Sequence, residues 1–423
     1  MHDACFQKIF NESRRLLDKL SIMIKKESVL SFVFFSGSKS LVFFTPLAIL
    51  WLLGDDYYVL VEQTFATSLL LWPILGLGMT SAYSYFFLEQ NDHKFVQFYY
   101  RYLLIILCFI SLLCLGVYFG ESRSYENVYT PFIIFLMCFS YFVSTTYKCN
   151  SDVVRSSSFD ALPYVFFFLF LVISVWNNGF GFVFMMLILL LMLFYTFLLP
   201  RKLIAQQDGI SQTSVSLEIL NSFTSQDIKH YLSKGLHSFI VSWIAIAVVM
   251  FPRVFMADFA TLDESKELYL ALRFGTFFVL IYQFIQIKMY VKVFKISTGN
   301  MKKILLLYWL IVCSILAVLT LLEFSLSYYF AILYTAMWIM VSMLELQVVR
   351  RGVQMAVVRG VLLLSPAIAV LFFIEGFYLF IVFSIVLLSL YLFVQAYSVY
   401  KMQFSLQIMA IPVMASIGLL YYV

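Results

Sequence analysis

Apolar residues in this chain fall into long runs separated by short polar turns, a pattern unlike the alternating periods of a soluble helix or strand. Crossing the hydrocarbon core of a bilayer takes about 20 consecutive apolar residues in a helix. Runs of that kind cover 29–53, 59–87, 100–120, 128–147, 160–176 and 179–199. A polar stretch, 200–234, interrupts them, and a second series follows over 235–257, 267–290, 303–323, 328–348, 360–374 and 377–398, with one more apolar piece at 404–422. The pattern predicts an all-α membrane protein with twelve transmembrane helices, and thirteen if 404–422 also crosses. Its expected divisions are an N-terminal arm (1–28), a six-helix lobe (29–199), an inter-lobe linker (200–234), a second six-helix lobe (235–398) and an extra hydrophobic segment (399–423).

The polar ends of the series carry their own signals. In the arm, Phe6, Ile9, Phe10, Leu16, Leu17 and Leu20 recur at helical spacing between Lys8, Arg14, Arg15 and Lys19, which predicts an amphipathic helix on the membrane surface. The arm mixes both charge signs and reads as no signal peptide. In the linker, Ser225-Gln226-Asp227 marks a helix start, with Ile228, Tyr231 and Leu232 on one face. An amphipathic helix along the inner surface is the expectation there.

Composition sharpens the class. Hydrophobic residues make up 63% of the 423 and charged residues 12%, about half the charged share of a soluble domain. The net charge of +5 matters less than where it falls. With the N-terminus placed inside and loops assigned alternately, 23 of the 28 basic residues fall on the inner side, among them Lys94, Arg101, Arg201, Lys202, Arg350 and Arg351. The outer loops hold Arg123 and Lys266 and are otherwise acidic or neutral. That asymmetry predicts a plasma-membrane protein, the inner membrane of a bacterium, with a cytoplasmic N-terminus. The six cysteines form no Cys-x-x-Cys pair and each of the four histidines stands alone, so no metal or cofactor is expected. Nothing suggests nucleic acid.

Both six-span sets begin on the same side, so a repeat relating them would be parallel. Pro46 and Pro252 each sit late in the first span of a set, followed by an acidic outer turn. Aligning the next span openings, Val59-Leu60-Val61-Glu62-Gln63 and Tyr269-Leu270-Ala271-Leu272-Arg273, places Gln63 opposite Arg273. These features together point to a transporter with two parallel six-helix lobes around a central cavity.

The stretch from Ser36 to Tyr85 resembles the opening of bacterial polysaccharide flippases. It carries Ser36-Gly37-Ser38, then Thr45-Pro46-Leu47, an outer Tyr57-Tyr58, and a helix closing on Leu75-Gly76-Leu77-Gly78-Met79-Thr80-Ser81-Ala82. Glu267-Leu268-Tyr269-Leu270-Ala271-Leu272-Arg273 is similar to the second-half counterpart, and the plan over roughly 20–400 fits the multidrug/oligosaccharidyl-lipid/polysaccharide exporter superfamily. The segment 404–422 departs from a plain twelve-helix plan. The resemblance implies movement of an undecaprenyl-pyrophosphate-linked oligosaccharide, such as an O-antigen repeat unit, from the cytoplasmic to the periplasmic leaflet. It implies membrane lipids and polysaccharide polymerase machinery as partners.

Ionisable residues inside spans are costly and are candidates for a cavity wall. Lys39, near the middle of the first span, is a ligand for pyrophosphate or acidic sugar, or else a structural lysine paired with a carboxylate. Arg273 can grip phosphate oxygens in a bidentate manner, or snorkel outward. Arg253 reads chiefly as a snorkelling side chain, with Pro252 able to break the helix beside it. Glu62 is an exposed interfacial carboxylate, a partner for Lys39 or Arg273, or a protonatable coupling group. Gln63 and Gln283 offer hydrogen bonds to sugar hydroxyls or between helices. Glu345 and Lys288 read as surface groups at cytoplasmic span ends, and Trp51, Trp72 and Trp176 as interfacial belt. Pro73, Gly76 and Gly78 predict a bend or a close helix contact.

Two other functions remain in view. A small-solute or drug antiporter of the same superfamily commonly places buried carboxylates in its first lobe, whereas the first span here carries Lys39 and no acid. A transporter of the major facilitator type is disfavoured because Leu88–Lys94 lacks that family's Gly/Asp/Arg signature. A membrane polysaccharide polymerase needs a substantial periplasmic loop, and every predicted outer loop is short. No nucleophile–base pair or phosphate-cradling glycine loop is present, so the chain reads as no enzyme.

Overall fold

The computed structural model describes residues 26–90, 92–120, 126–150, 152–208, 224–294, 297–322, 325–369, 377–400 and 405. The amphipathic arm up to residue 25, the middle of the linker (209–223) and the apolar piece 404–422 apart from Ser405 lie outside them. Among the described residues there are thirteen α-helices, one π-helical turn and no strand. The helices are α1 (Lys26–Leu53), α2 (Asp55–Gly76), α3 (Met79–Tyr85), α4 (His93–Gly120), α5 (Glu126–Cys149), α6 (Val153–Trp176) and α7 (Asn178–Asp208). They continue with α8 (Ser225–Phe259), α9 (Leu262–Phe294), α10 (Thr298–Leu321), α11 (Leu326–Arg351), α12 (Gln354–Ala369) and α13 (Phe377–Tyr400). The π-helical turn, Phe86–Gln90, follows α3.

Polar turn residues set several of the starts. Asp92 accepts from the backbone N–H groups of Lys94 and Phe95 at α4. Asp152 accepts from Arg155 N–H at α6, and Asn177 from Gly179 and Phe180 at α7. Thr224 and Asp227 form a reciprocal capping box at α8. The helix expected from Ser225 therefore begins there, but it runs unbroken to Phe259 instead of lying as a separate surface piece. Pro252 does not interrupt it.

Ten described helices are long and apolar enough to cross a membrane: α1, α2, α4 to α8, α10, α11 and α13. Helices α9 and α12 overlie the two other predicted spans and fall outside that ten; α12 has 16 described residues. Large apolar side chains such as Ile105, Leu112, Phe194, Leu307 and Leu310 point outward, each at least 60% exposed. In water such faces would associate; in lipid they need no cover. The chain is a multi-pass membrane protein.

Buried apolar residues form two main clusters. One draws on α1 to α7 with Tyr231, the other on α8 to α13 with Tyr58 and Val59 of α2. Helix α2 belongs to both sides of the joint: it packs on α5 in its own half and on α8 and α9 in the other.

Three contacts fix α2 against α9. Lys266 Nζ lies 2.7 Å from Asp55 Oδ2, the rings of Tyr58 and Tyr269 meet edge to face at 6.5 Å, and Arg273 Nε lies 2.5 Å from Glu62 Oε1. Each pair is separated by the same 211 positions, so the two helices run in the same direction with no slip over two turns. The steps of three and four residues keep all three contacts on one face of each helix. The repeat alignment expected from sequence set Gln63 opposite Arg273; the residue in contact with Arg273 in the structure is its neighbour Glu62. One residue turns a helix by about 100°, which carries Gln63 off the seam to a half-buried position.

The run expected as a single span over 59–87 is broken. Leu77 (φ 42°) and Gly78 (φ 67°) are left-handed and separate α2 from α3. Gly78 also meets α8: a Cβ placed on it would lie 2.3 Å from Gly235 O and 2.4 Å from Phe239 N. The cluster of Pro73, Gly76 and Gly78 thus marks a helix break and a close approach at once. Gly78→Ala is expected to destabilise the protein by more than about 2 kcal/mol, since left-handed strain alone costs ~1–3 kcal/mol. Gly116→Ala, where an added Cβ meets nothing within 4 Å, is the neutral control. Thermal unfolding of the two purified variants in detergent checks this.

Candidate functional site: a charged cavity between the two clusters

A cavity of about 210 Å³ lies where the two clusters meet, walled by α1, α2, α5, α6, α8, α9 and α11. Its wall carries four cations, Lys39, Lys148, Arg253 and Arg273, and two carboxylates, Asp160 and Glu345. A charge held in an apolar bilayer needs a partner or water, and the structure supplies partners unevenly.

Asp160 gathers the charges of the first half. Lys39 Nζ donates to its Oδ2 at 3.0 Å and Lys148 Nζ to its Oδ1 at 3.3 Å. Ser144 Oγ donates to the same Oδ1 at 2.6 Å. Three helices, α1, α5 and α6, are tied through one carboxylate. The two readings of Lys39 hold together, since it lines the cavity and is ion-paired, at 4% exposure.

Arg273 does not snorkel. It is 4% exposed, and besides Glu62 it donates from Nη1 to Val42 O of α1 at 3.1 Å. Glu62, 2% exposed, is no interfacial carboxylate; it grips Arg273 from behind and is not part of the cavity wall. Arg253 also stays inside, where its Nη2 reaches Thr276 Oγ1 at 3.4 Å. Its Nε, the Gln283 Oε1 and the Trp72 Nε1 are buried atoms of wall residues without a hydrogen-bond partner.

Aromatic faces complete the wall. Trp72 stacks on Tyr141 at 4.5 Å and 2°, and Tyr164 on Phe65 at 4.5 Å and 6°. Trp72 was expected in the interfacial belt and is 6% exposed in the interior. Trp51 and Trp176, at 84% exposure each, suit the belt.

Of the residues singled out from sequence, Lys39, Arg253, Arg273 and Gln283 come together at the cavity; Glu62 reaches it through Arg273, and Gln63 does not. Asp160 and Lys148 were missed, and Glu345, expected as a surface group, lies in the cavity wall instead; each is near a predicted span end, where a charge reads as interfacial. The signal for Asp160 was the run of serines before it: α6 begins at Val153, so Asp160 sits two turns inside the helix. The first half therefore does hold buried carboxylates, Glu62 on α2 and Asp160 on α6. Among the described residues no three His, Cys, Asp or Glu side chains cluster as a metal site would.

Such a wall suits a group that is anionic and bears hydroxyls. Guanidinium and ammonium groups take phosphate oxygens, free donors take hydroxyls, and aromatic faces take the flat apolar faces of sugar rings. At ~30 Å³ per water, the space holds about seven waters, less than a typical ligand pocket of ~300–1,000 Å³. Compared with known proteins, the chain matches no family model, no curated protein and no solved structure.

The Glu62–Arg273 pair gives a stability test. Glu62→Leu leaves a buried guanidinium uncompensated and is expected to cost about 3–5 kcal/mol. Glu62→Leu combined with Arg273→Leu is expected to regain most of that loss. Unfolding midpoints of the purified single and double variants measure it; additive losses would show that the two side chains are not coupled.

Proposed function

We propose that this protein is a flippase. It moves undecaprenyl-pyrophosphate-linked O-antigen or other polysaccharide repeat units from the cytoplasmic to the periplasmic leaflet of a bacterial inner membrane by alternating access. The reading takes the chain as twelve spans in two parallel six-helix lobes with a cytoplasmic N-terminus. The observation that carries it is the joint between the two clusters, where four cations and several aromatic faces surround one cavity. Pyrophosphate engages Arg253, Arg273, Lys39 and Lys148, glycan rings rest on Trp72, Tyr141 and Tyr164, and the prenyl tail stays in lipid. The equal 211-residue spacing of the α2–α9 contacts supports the repeat, because residues related by a parallel two-fold axis meet one another only where they lie on it.

The cavity is too small for an oligosaccharide, so this conformation is a closed one between two open ones. Opening toward the periplasm breaks the Asp55–Lys266, Tyr58–Tyr269 and Glu62–Arg273 contacts. Opening toward the cytoplasm parts α3 from α8. Anionic cargo replaces Glu62 on Arg273 and Asp160 on the two lysines, so cargo binding and release of the joint are one event.

Asp160 also favours a second reading, a small-solute antiporter that exchanges its cargo for a proton at a buried acid. Arg253 separates the two. It holds only the weak Thr276 contact, so Arg253→Gln is expected to fold normally. On the flippase reading that variant loses about tenfold in affinity (~1.4 kcal/mol) for undecaprenyl pyrophosphate in nanodiscs. Cells relying on it then lose surface polysaccharide at unchanged protein abundance. Wild-type affinity and wild-type polysaccharide would leave the antiporter reading.

A further inference from the structure

Of the two carboxylates in the cavity wall, Asp160 is ion-paired and Glu345, among the described residues, is not. Among the described residues the hydrogen bond to Glu345 comes from Ser242 Oγ of α8. Ser242 in turn meets Ser81 Oγ of α3 at 3.1 Å. Glu345 in the second cluster is thereby linked through two hydroxyls to the first. The link lies within the α3–α8 contact, beside Gly78 and Gly235, and beside Trp243, whose Nε1 donates to Leu70 O at 3.1 Å.

The charged and titratable groups around Glu345 come from each neighbouring helix. Arg253 of α8 and Arg273 of α9 share its cavity, as do Lys39, Lys148 and Asp160 across it; none lies within ion-pair distance of Glu345. Arg273 and the two lysines already have carboxylate partners, Glu62 and Asp160. Helix α13 brings Tyr391, whose hydroxyl donates to Val241 O at 3.3 Å and accepts from Gln395 Nε2 at 3.1 Å. Helices α10 and α12 contribute nothing to that wall.

We propose that Glu345 is a proton-binding site whose occupancy sets the α3–α8 contact between the two halves. The closed contact leaves a carboxylate in a small cavity with one hydroxyl donor, and removing a charge from water outweighs one charge-assisted hydrogen bond. The closed form therefore favours the protonated acid. Parting α3 from α8 brings water to Glu345 and favours the carboxylate. The sign follows by linkage: protonation holds this side closed, and opening it releases the proton to that side. In the topology proposed above that side is the cytoplasm, but the site needs no particular cargo.

Two measurements on the full chain in lipid, without cargo, test this. In infrared difference spectra between alkaline and acidic buffer, a carboxylic-acid C=O component separate from those of the other 22 Asp and Glu residues is expected in wild type. It is expected to disappear in Glu345→Gln and to remain, shifted, in Glu345→Asp. Spin labels at Gln90→Cys and Gln226→Cys, exposed positions near the two sides of the contact, on a background lacking the native cysteines, report its width. Acid is expected to narrow the distance distribution, and Glu345→Gln to hold it narrow at every pH. Survival of that component in Glu345→Gln overturns the site. Labels whose distances ignore pH in wild type, or keep their pH response in Glu345→Gln, overturn its hold on the contact.

Discussion

The Glu62–Arg273 pair is the interaction on which the joint depends. Both side chains are almost wholly buried in a protein whose surroundings are hydrocarbon, so if the pair parts, Arg273 has only the cavity to turn to and Glu62 lies outside the cavity wall. A surface ion pair at this distance would contribute little. Buried, it acts as a condition: α2 and α9 stay together, or each charge must find another partner. The register of the helices follows from it. Asp55–Lys266 and Tyr58–Tyr269 continue the same face outward, and Arg273 reaches on to Val42 O, which brings α1 into the same contact. One guanidinium thus ties α1, α2 and α9.

Asp160 does in the first half what Glu62 does at the joint, holding Lys39 and Lys148 at once. Both carboxylates occupy cations that, on the flippase reading proposed above, a phosphate would take. Three of the four wall cations are paired with a carboxylate and Arg253 is not, so the site keeps an excess of positive charge; on the proposed reading the paired cations exchange one set of oxygens for another when cargo binds. The exchange spares the cations a bare intermediate but strips Glu62 and Asp160 of their partners, so both carboxylates must gain a proton or water as cargo binds. The unpartnered atoms of Arg253, Gln283 and Trp72 are the complement, donors and an acceptor not yet used.

Sequence pattern carried the helices and their order well, because long apolar runs bounded by Asp, Asn and Thr caps leave few alternatives. It also marked Lys39 and Arg273, since a cation in mid-span is rare enough to stand out alone. What it missed were residues whose meaning depends on a boundary. Asp160, Lys148 and Glu345 sit where helices extend a turn or two beyond the hydrophobic window, and window edges blur there. Trp72 was misplaced for a similar reason: an aromatic near Pro73 reads as belt until the chain is seen to continue through α3. The sequence alignment set Gln63 opposite Arg273, whereas the contact in the structure is Glu62–Arg273, a pairing that the composition of the two openings could not show.

The two contacts across the joint differ in kind, and the difference bears on how each opens. The α2–α9 seam is held by ion pairs, so an anion entering the cavity can compete for it directly. The α3–α8 contact is held by shape, with Gly78 against Gly235, and by the chain from Ser81 through Ser242 to Glu345. No anion competes for a glycine contact; a change in the charge of Glu345 can reach it through the serines. A cavity closed at one end by exchangeable charges and at the other by packing and a single acid responds to two different signals. On the transporter reading proposed above, alternating access needs such a difference if the two ends are not to open together. Because α2 and α3 are one chain broken only at Leu77–Gly78, a shift of either end passes to the other through that break. Its left-handed backbone is therefore where the two contacts are mechanically joined.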